Sequence, residues 1–127
     1  MKKVFTALGY VLLTTLIALT ALFVLTAIPA TGLESRVVFS GSMAPAIPTG
    51  SVVFTARQES YAVGDVVTFQ RSPTDTPVTH RIIREEGEAF VTKGDANEDA
   101  DVRRVAPENI LGAVFFQLPY LGYILVG

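Results

Sequence analysis

The sequence predicts a mainly β protein with one N-terminal transmembrane helix, followed by a small antiparallel β-barrel or sandwich. Two observations favour this fold class. No charged residue occurs between Lys3 and Glu34, and this region is long and apolar. Beyond it, short β-rich runs alternate with turn residues. We therefore divide the chain into residues 1–32, a cytoplasmic tip with its membrane anchor, and residues 33–127, an extracytoplasmic β-rich domain.

The apolar region is long enough to cross a bilayer, which takes about 20 residues. A cleavable secretory signal is the alternative, because Lys2 and Lys3 resemble its basic start and residues 27–30 loosely resemble a processing site. The apolar part of such a signal is only about 7–15 residues long, and the longer run here favours an anchor. Basic residues accumulate on the cytoplasmic side of membranes. We therefore expect the N-terminus in the cytoplasm and the domain after the anchor on the outer side of the cell membrane.

Six strands follow the anchor in the prediction, and no helix is predicted among them. Gly87 is expected to form a tight hairpin between the fourth and the fifth strand. The last residues, 118–127, are apolar but too short to span a bilayer, and they fit a final strand, an interfacial segment or the start of a second span. The predicted strands are 36–39, 51–55, 65–69, 78–84, 89–93 and 110–115.

Charge and composition exclude several kinds of function. All 12 acidic residues but only 8 of the 10 basic residues follow the apolar region, which gives that part a formal charge of −4. This balance argues against binding of nucleic acid. There is no cysteine and only one histidine, so thiol catalysis, disulfides and a zinc site are not expected. No metal or organic cofactor is implied.

The polar residues that remain suggest serine chemistry. A serine hydroxyl needs a base that takes its proton and donors that hold the oxyanion. Ser42 lies in a Pro/Gly-rich loop, and His80 alternates with Val78 and Ile82 on the inward face of a predicted strand. The acidic run after residue 93 offers three aspartates that are able to orient the histidine. They are Asp95, Asp99 and Asp101.

Taken in order, these segments resemble the conserved boxes of type I signal peptidases, the serine peptidases of family S26. The likeness covers nearly the whole chain. Because a histidine and not a lysine stands at the base position, the chain resembles the archaeal, endoplasmic-reticulum and sporulation-type branch. The matching segments are SGSMAP at 40–45, GDVVTF at 64–69, His80 with Arg81, and GDAN at 94–97 with Asp101.

The resemblance implies a role for each position. Ser42 is the nucleophile, His80 the general base and Asp101 the acid that orients it, with Asp95 as the second candidate for that role. Ser40 is implied as a helper of the oxyanion by analogy with the lysine-type enzymes. Substrates with small residues before the cut are implied as well, and two apolar neighbours of the nucleophile, Met43 and Ile47, are candidates for lining the pockets.

The function predicted from these residues is cleavage of N-terminal signal peptides from exported preproteins by a membrane-bound serine endopeptidase. Its expected partners are the signal peptides, the lipid bilayer and export machinery or accessory subunits. A Ser-Lys enzyme is disfavoured, because Lys93, the only lysine beyond the anchor, is not at the base position. A self-cleaving regulator of the related repressor type is discounted, since an anchor stands where its DNA-binding segment would be. The alternative from another class is a non-catalytic, membrane-tethered β module that binds an export partner.

Overall fold

A single long helix opens the computed structural model, which describes residues 1–126. Helix α1 runs over Lys2–Thr26, and none of its residues is buried by the rest of the chain. Its 25 residues extend about 37 Å at 1.5 Å per residue, which exceeds the roughly 30 Å of a bilayer core. The helix is therefore long and apolar enough to cross a membrane.

An antiparallel sheet of six strands follows helix α1, with the strands in the order β1-β2-β6-β3-β4-β5. This confirms the mainly β class and all six predicted strands. The sheet is open, with β1 and β5 at its edges, and is not closed into a barrel. The strands are Leu33–Val38 (β1), Ser51–Ala56 (β2), Val66–Phe69 (β3), Val78–Glu86 (β4), Ala89–Lys93 (β5) and Ile110–Leu118 (β6).

The strand ends differ from the prediction where pairing extends a strand beyond its apolar run. β1 begins three residues earlier than predicted, because Leu33 pairs with Ala56 of β2. β6 continues to Leu118, which pairs with Val52. The predicted hairpin at Gly87 is confirmed: this residue has a φ of 64° in the turn between β4 and β5.

The chain after β6 corrects one expectation. Helix α2, over Gly122–Val126, follows the sheet, so the prediction of no helix beyond the anchor was wrong. The Gly122 N–H donates to the Gly50 carbonyl oxygen at 2.8 Å. A Cβ at Gly122 would lie 2.6 Å from that oxygen, so this close approach needs a glycine. Of the predicted final segment, Gly127 lies outside the described residues.

Apolar side chains pack on both faces of the sheet, because neighbouring residues of a strand point to opposite faces. On β3, Val67 belongs to one core cluster and Val66 packs against the other. Phe54 of β2 is fully buried and contacts Phe23 of α1, with 5.0 Å between ring centroids. The first cluster contains Val67, Phe69, Ile82, Phe90, Val105, Ile110 and Ala113, and the second contains Val38, Met43, Ile47 and Val53.

Candidate active site

Strand β4 holds the single histidine on the face of the sheet that carries the first core cluster. His80 pairs with Val67 of β3, a member of that cluster. Only 8% of His80 is exposed, and its ring lies edge-on to Phe69 at 6.4 Å between centroids. The imidazole is therefore held firmly by its neighbours, as the alternation of the strand predicts.

Ser42, His80 and Asp101 form a continuous chain of hydrogen bonds. The Ser42 Oγ lies 3.0 Å from His80 Nε2, and His80 Nδ1 lies 2.6 Å from Asp101 Oδ2. Because an ionised carboxylate only accepts hydrogen bonds, Nδ1 carries the proton and Nε2 is left to accept from the serine. This geometry lets the serine hydroxyl lose its proton to the imidazole while the carboxylate stabilises the imidazolium that results.

The backbone of Ser42 is fixed by the loop that follows β5. Ala96 N–H donates to the Ser42 carbonyl oxygen at 2.8 Å. A Cβ at Gly94 would lie 2.6 Å from the same oxygen, so only glycine permits this approach. Among the described residues the Ser42 N–H has no acceptor, which leaves this donor available to an oxyanion.

Asp95 lies in the same loop but contacts a different cation. Its two carboxylate oxygens accept from Arg81 Nε at 2.9 Å and from Nη2 at 2.8 Å. These hydrogen bonds lower the pKa of Asp95 and raise the pKa of Arg81, against the opposing effect of partial burial. The structure thus places Asp101, and not Asp95, beside the histidine.

Three further candidate residues lie near the site, and two of them, Asp99 and Lys93, take no part in the hydrogen-bond chain. Asp99 is exposed. The Lys93 ammonium donates to the carbonyl oxygen of the next residue, Gly94, at 3.3 Å. Ser40 lies closer to the centre, with its hydroxyl oxygen 3.0 Å from Ser42 Oγ.

Sequence reasoning missed one polar neighbour of the site. Thr92 is fully buried in β5, and its hydroxyl donates to Asp101 Oδ2 at 2.7 Å. The sequence indicates an inward position for Thr92, because this residue alternates with the buried Phe90 on a strand that leads directly into the acidic loop. A threonine at such an inward position needs an acceptor for its hydroxyl.

A groove of about 460 Å³ runs across Ser42 and is mostly apolar. One wall is the end of edge strand β1 and the residues after it, and the other comes from the segment that enters β4. Met43 and Ile47, the candidates for lining the substrate pockets, are not among the residues of this groove, and both are buried in the second core cluster. The groove residues include Val38, Phe39, Ser40, Ser42, Pro77, Val78 and His80.

Ser51 stabilises the turn before β2. It is fully buried and donates from Oγ to the Pro48 carbonyl oxygen at 2.6 Å. The preceding Gly50 has a φ of 83°, a conformation that favours glycine. The turn is therefore fixed both by its glycine and by a side-chain hydrogen bond.

Comparison with known proteins gives a consistent set of relatives, although no protein-family model matches the chain. The signal peptidase complex catalytic subunit SEC11 of Ogataea parapolymorpha is 35% identical over 113 residues, covering 71% of this chain and 64% of the relative. The SEC11 subunits of Candida tropicalis and Neurospora crassa are each 34% identical, covering 71% of this chain and 62% and 60% of the relatives. The chain thus spans a little under two thirds of their length.

The hydrogen-bonded serine, histidine and aspartate are consistent with relatives that are named as catalytic subunits. The relatives are named as catalytic subunits, and this chain brings a serine, a histidine and an aspartate into hydrogen-bond contact beside a groove. By sequence, the chain is similar to the catalytic subunits of signal peptidase complexes.

Proposed function

We propose that this chain is a membrane-anchored serine endopeptidase that cleaves N-terminal signal peptides from exported proteins. The observation that carries the proposal is the chain of hydrogen bonds from Ser42 through His80 to Asp101, with heavy-atom distances of 3.0 and 2.6 Å. In this proposal residues 1–32 form the anchor and residues 33–127 the catalytic domain.

The positions of the polar atoms support the following reaction. Ser42 Oγ attacks the scissile carbonyl carbon while its proton passes to His80 Nε2. The Ser42 N–H, helped by the Ser40 hydroxyl, stabilises the oxyanion of the tetrahedral intermediate. His80 then gives its proton to the leaving amine, and an acyl-enzyme forms. A water molecule, deprotonated by His80, hydrolyses the acyl-enzyme and restores the serine.

The groove accounts for how a peptide is held. The end of β1 forms one wall, and β1 is an edge strand of the sheet. Edge strands carry backbone groups that are free to pair with an added extended chain. A peptide that lies extended along this edge presents alternate side chains to the apolar lining. The small residues expected before the cut fit this arrangement.

The first helix and the relatives support the proposed location and partners. Helix α1 is long and apolar enough to span a bilayer, and the lysines at its start favour a cytoplasmic N-terminus. The sheet domain then lies on the opposite side of the cell membrane, where signal peptides emerge. The relatives are named as subunits of a complex, which supports accessory subunits as partners.

The rival functions have less support. In a Ser-Lys mechanism Lys93 would take the serine proton, but its ammonium donates to the carbonyl oxygen of Gly94. A non-catalytic β module gives no reason for a largely buried histidine with a serine on one nitrogen and a carboxylate on the other.

Cleavage of a preprotein by the purified chain in lipid vesicles tests the proposal. We expect Ser42→Ala and His80→Ala to lower kcat by roughly 10⁴-fold or more, because the members of such a triad act as a unit. Lys93→Ala serves as the control and is expected to cut at the wild-type rate. Thermal unfolding verifies that every variant folds.

Three results would contradict the proposal. Retained cleavage in Ser42→Ala excludes this nucleophile. Activity that is lost in Lys93→Ala but retained in His80→Ala assigns the base to the lysine. A folded wild type that binds preprotein but never cuts it supports the binding module.

A further inference from the structure

Thr92 lies on the same face of the sheet as the histidine. It pairs with Ile82 of β4 in the strand register, and Ile82 lies two residues beyond His80. Directly paired residues of antiparallel strands share a face, as do alternate residues of one strand. The Thr92 side chain therefore points toward the side on which the proposed catalytic groups meet, and it is fully buried there.

Two hydrogen bonds join Thr92 to Asp101. The Asp101 N–H donates to the Thr92 carbonyl oxygen at 2.8 Å, and the Thr92 hydroxyl donates to Asp101 Oδ2 at 2.7 Å. Asp101 itself belongs to no strand, so its position depends on such contacts. The backbone bond fixes where the residue lies, and the hydroxyl bond fixes how its carboxylate is turned.

The oxygen that accepts from Thr92 is also the one that faces the histidine. Asp101 Oδ2 lies 2.7 Å from Thr92 Oγ1 and 2.6 Å from His80 Nδ1. Two donors on one oxygen restrict rotation of the carboxylate about its Cβ–Cγ bond. A neutral donor also stabilises the ionised carboxylate without competing for the proton of the imidazole.

We propose that Thr92 is a positioning residue of the active site, whose hydroxyl holds the Asp101 carboxylate in the orientation that fixes the His80 ring. This inference rests on the proposed function. It extends the hydrogen-bond chain beyond Asp101, in the order Ser42, His80, Asp101 and Thr92. The residue acts through Asp101 and makes no contact with the serine.

Replacing the hydroxyl by a methyl group isolates its contribution. Thr92→Val keeps the shape of the side chain and the backbone bond to Asp101 but removes the donor. We expect kcat for preprotein cleavage to fall about ten-fold, with KM nearly unchanged. This loss corresponds to the free energy of one of the weaker hydrogen bonds to a charged group. Thr92→Ser keeps a hydroxyl and is expected to restore most of the rate.

Thr68 provides a matched control in another strand. It is also fully buried, and its hydroxyl makes a 2.7 Å hydrogen bond with that of Thr79. Thr68→Val therefore loses one buried hydrogen bond of the same length, away from the carboxylate. We expect it to lower thermal stability as Thr92→Val does but to leave kcat unchanged.

A spectroscopic measurement tests the contact independently of activity. The chain has one histidine, so every imidazole signal in an NMR spectrum of the detergent-solubilised protein comes from His80. The Nδ1 proton in its bond to Asp101 is expected at low field. Thr92→Val should displace or broaden this signal, whereas Thr68→Val should leave it in place.

The outcomes separate the two proposals. If Thr92→Val has the wild-type kcat and the wild-type Nδ1 signal, Thr92 has only a structural role and the inference is overturned. If Thr92→Val does not fold, Thr92→Ala takes its place with the same expectations. Should Ser42→Ala remain active while Thr92→Val still displaces the Nδ1 signal, the proposed function fails but the contact stands.

Discussion

Two neighbouring residues of β4 pair with two aspartates from one loop, and the two pairs differ in what they are able to do. His80 contacts Asp101 through one short hydrogen bond, and Arg81 contacts Asp95 through two. Consecutive residues of a strand point to opposite faces, so the pairs lie on opposite faces of the sheet. The histidine pair faces the first core cluster, whereas Asp95 N–H contacts the sulfur of Met43 in the second.

Proton affinity separates the two pairs. A guanidinium keeps its proton at any physiological pH, so Arg81 binds its aspartate as a fixed cation and ties the loop to the sheet. A neutral imidazole has one nitrogen that accepts a proton, and Nε2 of His80 lies 3.0 Å from Ser42 Oγ, so His80 is able to take the serine proton. One loop thus supplies a carboxylate for proposed chemistry and another for structure, and the difference lies in the partner on β4.

The largest expected effect separates the two aspartates by activity. Asp101→Asn should lower kcat by about 10³–10⁴-fold, because the amide favours the wrong tautomer of the imidazole. Asp95→Asn should lower kcat less than about ten-fold, since the ion pair acts only through the loop. The exposed Asp99 of the same loop is the control, and Asp99→Asn should cut at the wild-type rate. If Asp95→Asn and Asp101→Asn lowered kcat equally in a preprotein cleavage assay, the two aspartates would not differ in role.

The next effect concerns the oxyanion. Ser40→Ala should lower kcat by about 10²-fold, the loss typical of one oxyanion donor, while stability stays unchanged because the side chain is exposed. Single-turnover cleavage measures this step, and Thr49→Ser, which keeps the neighbouring hydroxyl, is the control. A wild-type rate in Ser40→Ala leaves the Ser42 N–H as the donor.

A smaller effect is expected where the loop that carries both aspartates meets the serine. In Gly94→Ala the new methyl group would lie 2.6 Å from the Ser42 carbonyl oxygen, so the loop must shift. We expect kcat to fall about ten-fold and the free energy of unfolding to fall by about 1–3 kcal/mol. Gly9→Ala, which meets open space in α1, is the control. Full activity in Gly94→Ala would mean that the loop does not position the serine.

The smallest expected effect is a loss of folding stability at acidic pH. Arg81 lowers the pKa of Asp95, so the folded protein holds this carboxylate ionised at a pH where the unfolded chain already takes up a proton. The stabilisation of about 1 kcal/mol is therefore present above pH ~4, near the unfolded value of aspartate, and is lost as the pH falls through the lowered folded value. Thermal unfolding of wild type and Asp95→Asn should differ at pH 6 and converge in acid. A difference that persists in acid would show that the ion pair is not its source.

Much of the fold was predictable from local patterns. The long first helix follows from an uncharged apolar run, and β5 was predicted with its observed bounds because turn residues flank it on both sides. The helix α2 was missed, since four apolar residues between two glycines give no periodic signal of their own. Met43 and Ile47 were expected in a groove and lie in the core, because apolar character does not distinguish a pocket wall from a packed interior.

By itself the sequence determined which groups are present: one histidine, no cysteine, a serine loop close to an apolar run and a short stretch with three aspartates. The tertiary structure decided which of them meet. The choice of Asp101 over Asp95 depends on the return of the loop from β5, where the Thr92 carbonyl oxygen holds the Asp101 N–H and Arg81 holds Asp95. Contacts between segments distant in the chain arise from sheet pairing and from packing, which no local pattern encodes.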